Sequence, residues 1–193
     1  LSLIPQVRAA LARSFDAHQR RPGHLAALRV HTGLLAKQDC IAFDIQQIIV
    51  NLECALTEGD TRIRKFGPNL KASPKVAQTL KDMGVTDVAI SNNHVYDFGH
   101  QGFVDTMAAL DAVGLPYTGV GENEQAARKP HYMKVGEKTI ALVAVCEHEY
   151  SYALPNREGC WGFDPFETME DISIAKENSD LPIMLIHGDS DGF

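Results

Sequence analysis

The sequence predicts a single α/β domain built from a layered sheet, and three observations support this prediction. Apolar runs of strand length alternate with helical patterns from residue 45 onward. The strand-like runs are apolar at successive positions, as expected for sheet strands buried on both faces. The chain has 193 residues, about the size of one domain. No linker divides it, so we assign residues 1–193 to one domain, of which residues 1–43 carry no clear pattern.

The first predicted strand lies within residues 45–50, where three apolar residues precede Asn51. Residues 55–72 are mostly polar and are expected to form a loop. Ser73-Pro74 then supplies an N-cap and a proline at the first helical position. Gly84 is expected to end this helix.

Five further strands and two further helices are predicted beyond Gly84. Apolar residues at helical spacing indicate one helix that ends at Gly114 and a second over residues 166–178. A hairpin is expected where two apolar segments flank Gly136-Glu137-Lys138. The predicted strands cover residues 87–90, 117–120, 132–135, 139–146 and 183–186, and a short helical turn is predicted over 122–129.

Composition and charge exclude several classes of protein. Twenty-five acidic and 18 basic residues give a formal charge of −7, so no nucleic-acid binding is expected, because little would neutralise a phosphate backbone. No apolar run approaches the ~20 residues of a membrane span, so no transmembrane segment is predicted. The four cysteines form no CxxC pair and are expected to be free or buried thiols.

The N-terminal residues show no signal peptide, which makes a cytoplasmic location the default expectation. The chain does not begin with Met, so an envelope-associated or exported location stays open. No oligomeric state is predicted.

Four polar clusters directly follow predicted strands. In open α/β sheets, ligands bind at the carboxyl ends of the strands. Imidazole, carboxylate and amide groups together suit a divalent metal ion such as Zn, Mn, Fe or Mg. The clusters are Asn51-Leu52-Glu53, Asn92-Asn93-His94, Glu147-His148-Glu149 and His187-Gly188-Asp189.

Each cluster also has an ordinary structural interpretation. A lone Glu53 would more often be a solvated carboxylate, and Asn92-Asn93 would simply form a turn. His187 alone would more often bond a backbone group at a strand end. Glu147-His148-Glu149 is the weakest candidate and is also typical of a solvated strand end.

The Asn-Leu-Glu cluster at 51–53 and the Asn-Asn-His cluster at 92–94 belong to a longer series of segments that occur in a fixed order. This series resembles the bacterial CapA-type capsule and poly-gamma-glutamate synthesis family. The resemblance covers residues 44–188, and its most specific part is Asn-Asn-His-x-x-Asp-x-Gly at residues 92–99. That family is similar to the calcineurin-like metallophosphatases. The matching segments are Asn-Leu-Glu-Cys-Ala-Leu-Thr at 51–57, Ser-Asn-Asn-His-Val-Tyr-Asp-Phe-Gly at 91–99, Gly-Leu-Pro-Tyr-Thr-Gly-Val-Gly at 114–121, Ala-Ala-Arg-Lys-Pro at 126–130, and His-Gly at 187–188.

The resemblance implies a four-layer α-β-β-α sandwich, incomplete in this chain, with a site for two divalent metal ions at the strand ends. By position, Glu53 would be the metal-bridging carboxylate, and Asn93 and His187 would be metal ligands. His94 would protonate a leaving group or stabilise the transition state, and Asp97 would orient the His94 loop.

The sequence departs from the metallophosphatase pattern near both ends. A Gly-Asp motif is expected after the first strand and a paired-histidine motif near the C-terminal end, and neither is found in place. These departures predict an incomplete or degenerate site.

Three functions are compatible with these residues. The first is a metal-dependent hydrolase of the metallophosphatase type that acts on a phosphoester. The second is a non-catalytic domain that binds an anionic polymer or a partner in envelope polymer synthesis. The third, a factor acting on poly-glutamate amide bonds, ranks last because no Ser-His-Asp or Cys-His arrangement supports it.

Overall fold

The computed structural model describes residues 47–147 and 150–188, and within them it has ten strands and four helices. The strands are β1 (Ile49–Asn51), β2 (Ala55–Leu56), β3 (Lys71–Ala72), β4 (Asp87–Ala89), β5 (Tyr117–Thr118), β6 (Val120–Gly121), β7 (His131–Val135), β8 (Lys138–Cys146), β9 (Gly159–Cys160) and β10 (Leu181–His187). The helices are α1 (Val76–Asp82), α2 (Gly99–Val113), α3 (Glu124–Ala127) and α4 (Pro165–Glu177).

Two three-stranded sheets form the centre of the described region. The first has the order β1-β4-β5 and is parallel throughout. The second has the order β10-β8-β7, with β10 parallel and β7 antiparallel to β8. Two smaller sheets pair β2 with β3 and β6 with β9.

Helices cover each of the two central sheets. Val50 of β1 and Val88 of β4 share one core cluster with Leu80 of α1 and with Phe103 and Leu110 of α2. A second core cluster packs β8 against α4, which also contacts β10. The sheets meet where β5 contacts β8. This order of helices, sheet, sheet and helix confirms the predicted α/β class.

Gly119 allows the two sheets to approach each other closely. Its φ of 88° lies in the left-handed region. A Cβ atom at this position would lie 2.6 Å from the Ser91 Cβ and 2.8 Å from the Ala144 Cβ. The same residue divides the predicted strand 117–120 into β5 and β6, because the chain leaves one sheet there and enters another.

The prediction of a loop over residues 55–72 is wrong at both of its ends. Ala55–Leu56 and Lys71–Ala72 pair as parallel strands. Two-residue strands are too short to show a hydrophobic period, which explains why the pattern did not indicate them. The residues between β2 and β3 have no regular structure.

The predicted N-cap at Ser73 is also wrong. The first helix begins at Val76, and its N-cap residue, Lys75, makes no side-chain cap bond. The Ser73 hydroxyl donates to Glu58 Oε1 at 2.7 Å, and the backbone N–H of Val76 donates to the Ser73 carbonyl at 2.9 Å and not to the hydroxyl.

Two other predictions, the hairpin and the burial of the described cysteines, are confirmed. Val135 pairs with Lys138 in the β7–β8 hairpin, and Gly136 adopts a φ of 59° in the turn. Cys54, Cys146 and Cys160 are buried. None of the helices in the described ranges is long and apolar enough to cross a membrane. Residues 1–43, Cys40 and the start of the first predicted strand lie outside the described residues.

Candidate functional site

The carboxyl ends of β1, β4 and β10 bring three of the predicted polar clusters together. Asn51 is the last residue of β1, and the Asn92-Asn93-His94 turn follows β4, its parallel neighbour. His187 is the last residue of β10 in the other sheet. The site therefore joins the two sheets at one edge.

His187 makes the contacts across this junction. Its Nδ1 lies 3.3 Å from Asn51 Nδ2. Its Nε2 lies 2.9 Å from Asn93 Oδ1 and 3.7 Å from Glu53 Oε1. The structure thus places together the three residues for which the resemblance implied metal binding.

Asn92 holds the β1 and β4 ends against each other. It is fully buried. Its Nδ2 donates to the Leu52 carbonyl at 2.8 Å and to Asn51 Oδ1 at 3.3 Å. Its Oδ1 accepts the backbone N–H of His94 at 3.0 Å. Asn92 therefore fixes the turn that presents Asn93 and His94.

His94 forms a buried pair with Asp97. The His94 side chain is 9% exposed and that of Asp97 is fully buried, with 2.7 Å between Nδ1 and Oδ2. Nδ1 also lies 3.1 Å from the Lys65 ammonium, which only donates, whereas a carboxylate only accepts. Because the Asp97 contact is the shorter of the two, we assign the proton to Nδ1 and the lone pair of the neutral ring to Nε2. No described residue forms a hydrogen bond with Nε2. A buried imidazole with one nitrogen in use and the other available is suited to proton transfer.

Lys65 is a member of this cluster that the sequence did not indicate. Its side chain is 2% exposed, and its Nζ lies 2.5 Å from Asp97 Oδ1. Nζ also donates to the Asn93 carbonyl at 3.2 Å. A single lysine in a polar segment carries no periodic signal, so no sequence pattern could have found it.

A match to a family model identifies the family of this chain. Residues 34–191 match the family described as "Bacterial capsule synthesis protein PGA_cap". The chain belongs to this family.

Individual PGA_cap-like proteins match over part of their length. The Bacillus anthracis "Capsule biosynthesis protein CapA" is 28% identical over 125 residues, 62% of this chain and 30% of that protein. A Mycobacterium tuberculosis "Probable polyglutamine synthesis accessory protein" is 29% identical over 153 residues, 72% of this chain and 40% of that protein. The chain therefore spans less than half the length of these relatives.

One solved structure also aligns with this PGA_cap chain. It is a Staphylococcus aureus crystal structure named as a "Putative 5'-Nucleotidase" in complex with alpha-ketoglutarate. It covers 61% of this chain and 24% of its own, at 16% identity and a TM-score of 0.42.

Two distances between possible metal ligands can be compared with those expected around one metal ion. Two ligands about 2.1 Å from the same ion lie roughly 3.0–3.4 Å apart. The 2.9 Å and 3.7 Å distances from His187 Nε2 to Asn93 Oδ1 and to Glu53 Oε1 bracket this range. Glu53 Oε2 is buried without a hydrogen-bond partner among the described residues. An orphaned carboxylate oxygen beside two further donors fits a divalent cation.

The donor set contains one carboxylate, one imidazole and one amide oxygen. Within the described ranges, no group of three or more His, Cys, Asp or Glu residues could hold a metal ion. Three possible ligand atoms are therefore present only if Asn93 Oδ1 is counted with Glu53 and His187. These residues fit one ion, and they do not by themselves provide the second ion that the resemblance implied.

The remaining predicted cluster lies beside the site. The Glu147 backbone N–H donates to the His187 carbonyl at 2.8 Å, so Glu147 sits next to the end of β10. A Cβ on Gly188 would lie 2.5 Å from Glu147 Oε2, which shows that this carboxylate packs against the Gly188 backbone. His148, Glu149 and Asp189 lie outside the described residues.

Burial and nearby negative charge dominate the electrostatics of Cys54, next to Glu53 in the chain. Burial, followed by the charges of Glu53 and Asp97, raises the pKa of the Cys54 thiol to about 12. The thiol is therefore protonated at neutral pH and is a poor candidate for a metal ligand or a nucleophile.

Proposed function

We propose that this PGA_cap chain hydrolyses a phosphoester with the help of a divalent metal ion, in a pathway that makes an anionic polymer. The observation that carries this proposal is the convergence of Glu53, Asn93 and His187 beside a histidine with an available ring nitrogen. Metal ligands next to a positioned acid–base group are the two parts that such a reaction needs.

Glu53 Oε1, Asn93 Oδ1 and His187 Nε2 would hold the ion. A bound divalent cation supplies positive charge that polarises a phosphoryl group and attracts an anionic substrate to this acidic chain. Asn51 and Asn92 keep the donors in place through the hydrogen bonds that join the strand ends.

His94 would transfer the proton. Asp97 holds Nδ1–H, so the ring is oriented and Nε2 is the nitrogen that exchanges protons with the leaving group. When the ring is protonated, the adjacent carboxylate stabilises the imidazolium, and Nε2–H can donate to the leaving oxygen. Burial of the pair keeps competing water away from Nδ1.

The link to polymer synthesis comes from the family. The names of the relatives refer to capsule biosynthesis and polyglutamine synthesis. We infer that the substrate is a phosphoester, or an anionic polymer that carries one, and that this chain handles it during envelope polymer synthesis.

The test is hydrolysis of an aryl phosphodiester with added Mn²⁺, Zn²⁺ or Mg²⁺, together with elemental analysis of the protein. We expect turnover that requires the ion. His94→Gln should lower kcat by about 10²–10⁴-fold without changing the metal content, because general acid–base catalysis contributes that much. His187→Ala should lower the metal content itself.

His100→Gln is the matched control. His100 is a 72% exposed histidine that pairs with Glu158 and has no place in the site, so its replacement should change neither quantity. Absence of bound metal, or turnover that is independent of His94, would contradict the hydrolase proposal.

A second candidate is a non-catalytic domain that binds an anionic polymer or a synthesis partner. The observation that favours it is the donor set, in which a neutral amide stands beside a single carboxylate. Polymer binding that survives both a chelator and His94→Gln, in protein without turnover, would support this function over hydrolysis.

A further inference from the structure

A buried ammonium group lies against the proposed acid, and the proposed mechanism does not use it. Lys65 Nζ is 3.1 Å from His94 Nδ1 and 2.5 Å from Asp97 Oδ1. Burying a lysine is costly unless the charge is paired, so a 2% exposed lysine side chain needs a specific reason. Lys65 is also remote in sequence from both partners, so the contact depends on the fold.

Asp97 divides its two carboxylate oxygens between different partners. Oδ1 faces Lys65 Nζ. Oδ2 accepts the backbone N–H of Leu70 at 2.6 Å and the His94 Nδ1–H at 2.7 Å. With Lys65 in place, turning the carboxylate plane would weaken the ion pair as well as the contact with His94. The ammonium therefore helps to hold the plane in which one carboxylate oxygen faces His94.

The segment that carries Lys65 is bound to the same turn through its backbone. The Asp97 carbonyl accepts the Ile63 N–H at 3.0 Å and Asn69 Nδ2 at 3.1 Å. Asn69 Nδ2 also lies 3.3 Å from the Ile63 carbonyl. Burial alternates along this stretch: Ile63 and Lys65 are partly covered, and Arg64 is exposed. Alternation over residues 63–65 is typical of an extended segment.

Lys65 also contacts the turn one residue before His94. Nζ donates to the Asn93 carbonyl at 3.2 Å. A single cation therefore bridges the Asp97 side chain and the backbone that links Asn93 to His94. An ammonium has several protons to donate in different directions, which a neutral side chain of similar length lacks.

We propose that Lys65 is the positioning residue of His94. It holds Asp97 in the orientation that keeps Nδ1–H bonded, and so leaves Nε2 as the nitrogen that can reach a substrate. Lys65 acts through Asp97 and does not itself touch the reacting atoms. The kinetic part of this inference rests on the proposed hydrolysis, whereas the structural part does not.

The first experiment follows the His94 ring by NMR of isotope-labelled imidazole nitrogens, with the signal assigned by comparison with His94→Gln. In the wild-type chain, the neutral ring should be the Nδ1–H tautomer. Lys65→Met should give a mixture of tautomers, and Lys65→Arg should restore the wild-type signal at least in part. Arg64→Met, a change at the exposed neighbouring residue, should leave it unchanged.

The second experiment measures hydrolysis by the same variants. Lys65→Met should lower kcat by about 10–100-fold with KM unchanged, the range found when an outer positioning partner is lost. Lys65→Arg should recover much of the rate. A change in KM at constant kcat would overturn the inference, since it would assign Lys65 to substrate binding.

A double-mutant comparison allows the inference to be tested even if the Lys65→Met chain alone does not fold. In an Asp97→Asn chain, the buried charge that Lys65 pairs is absent, so adding Lys65→Met should change neither kcat nor the His94 signal. Unchanged tautomers in Lys65→Met would overturn the inference even if the wild-type chain hydrolyses nothing. A chain without turnover but with Lys65-dependent tautomers would refute the proposed function alone.

Discussion

Two buried carboxylates, one beside each central sheet, are paired with cations in different ways. Asp97 follows β4 and meets Lys65, His94 and a backbone N–H. Asp171 lies in α4, and its Oδ1 accepts Arg128 Nε at 2.9 Å. Both carboxylates are buried, so burial of an ion pair by itself does not distinguish a functional cluster from a structural one.

The difference lies in the kind of atom that each cluster leaves without a hydrogen bond to a described residue, which in the Asp171 cluster is the second carboxylate oxygen, Oδ2. Arg128 also reaches Glu167 and Glu170, and its guanidinium lies 5.1 Å from the centre of the Trp161 ring. Through these contacts Arg128 links the end of α3 to α4. The Asp97 cluster instead leaves His94 Nε2 without a partner among the described residues. An available nitrogen in an otherwise paired cluster is the feature that indicates chemistry.

The comparison predicts that mutation of the Asp97 cluster lowers the free energy of unfolding more than mutation of the Asp171 cluster does. Asp97→Ala would leave the Lys65 ammonium buried without its counter-charge, and the Leu70 N–H without its acceptor. Breaking a buried pair from one side costs about 3–5 kcal/mol. Urea unfolding should show this loss as a lower midpoint at unchanged slope.

Asp180→Ala provides the control for Asp97→Ala. Asp180 pairs with Lys138 at 2.8 Å, with both side chains exposed to solvent. Solvent screens such a pair, so the midpoint should stay where it is in the wild type. If both variants lowered the midpoint equally, the buried Asp97 pair would contribute no more to stability than an exposed ion pair, which would contradict the comparison.

Much of the fold could be predicted because its main strands are apolar runs long enough to show a pattern. β8, β10 and the β7–β8 hairpin lie close to their predicted positions. The parts that were missed are two-residue strands such as β2 and β3, which depend on pairing partners far along the chain. Short strands carry no period, and only tertiary contacts define them.

The candidate site divides in the same way. Glu53, Asn93 and His187 follow strands, so a rule about strand ends was enough to propose that they meet. Lys65 follows no strand, and its role depends on the path of an irregular connection between β2 and β3. The contacts of such a connection are set by packing, which local sequence does not encode.

The Asp171 cluster should respond to mutation less strongly and in a pH-dependent way. Arg128→Met would leave Asp171 without its cation and lose the contact with the Trp161 ring. We expect a loss of about 2 kcal/mol at neutral pH, below the full cost of a buried pair because the Arg128 side chain is 23% exposed. Phosphodiester hydrolysis should not change.

The pH dependence follows from the pKa of Asp171. Burial raises this pKa above its ordinary value, although Arg128 opposes the shift. A carboxyl group with a raised pKa binds more protons in the folded state, so its contribution to stability falls as pH rises through the window above the ordinary value. The cost of Arg128→Met should therefore shrink as pH is lowered through that window, because the protonated group needs no cation. A loss that stayed constant from neutral to acidic pH would contradict this account.

The smallest expected effect is on the alkylation of Cys54, whose thiol pKa depends in part on the charge of Asp97. Its buried thiol has a pKa raised to about 12, so alkylation of the folded protein at about pH 8 should leave it unmodified, whereas the unfolded chain reacts. Peptide mapping distinguishes it from Cys146 and Cys160, which are also buried.

The same thiol then compares the two clusters directly. Asp97→Ala should speed Cys54 labelling more than Arg128→Met does at equal remaining stability, because only the first change loosens the packing beside Glu53 and removes a negative charge that raises the thiol pKa. Equal labelling rates would mean that Cys54 is reached through global unfolding alone. The two sheets would then open as one cooperative unit, and the Asp97 cluster would have no local opening of its own.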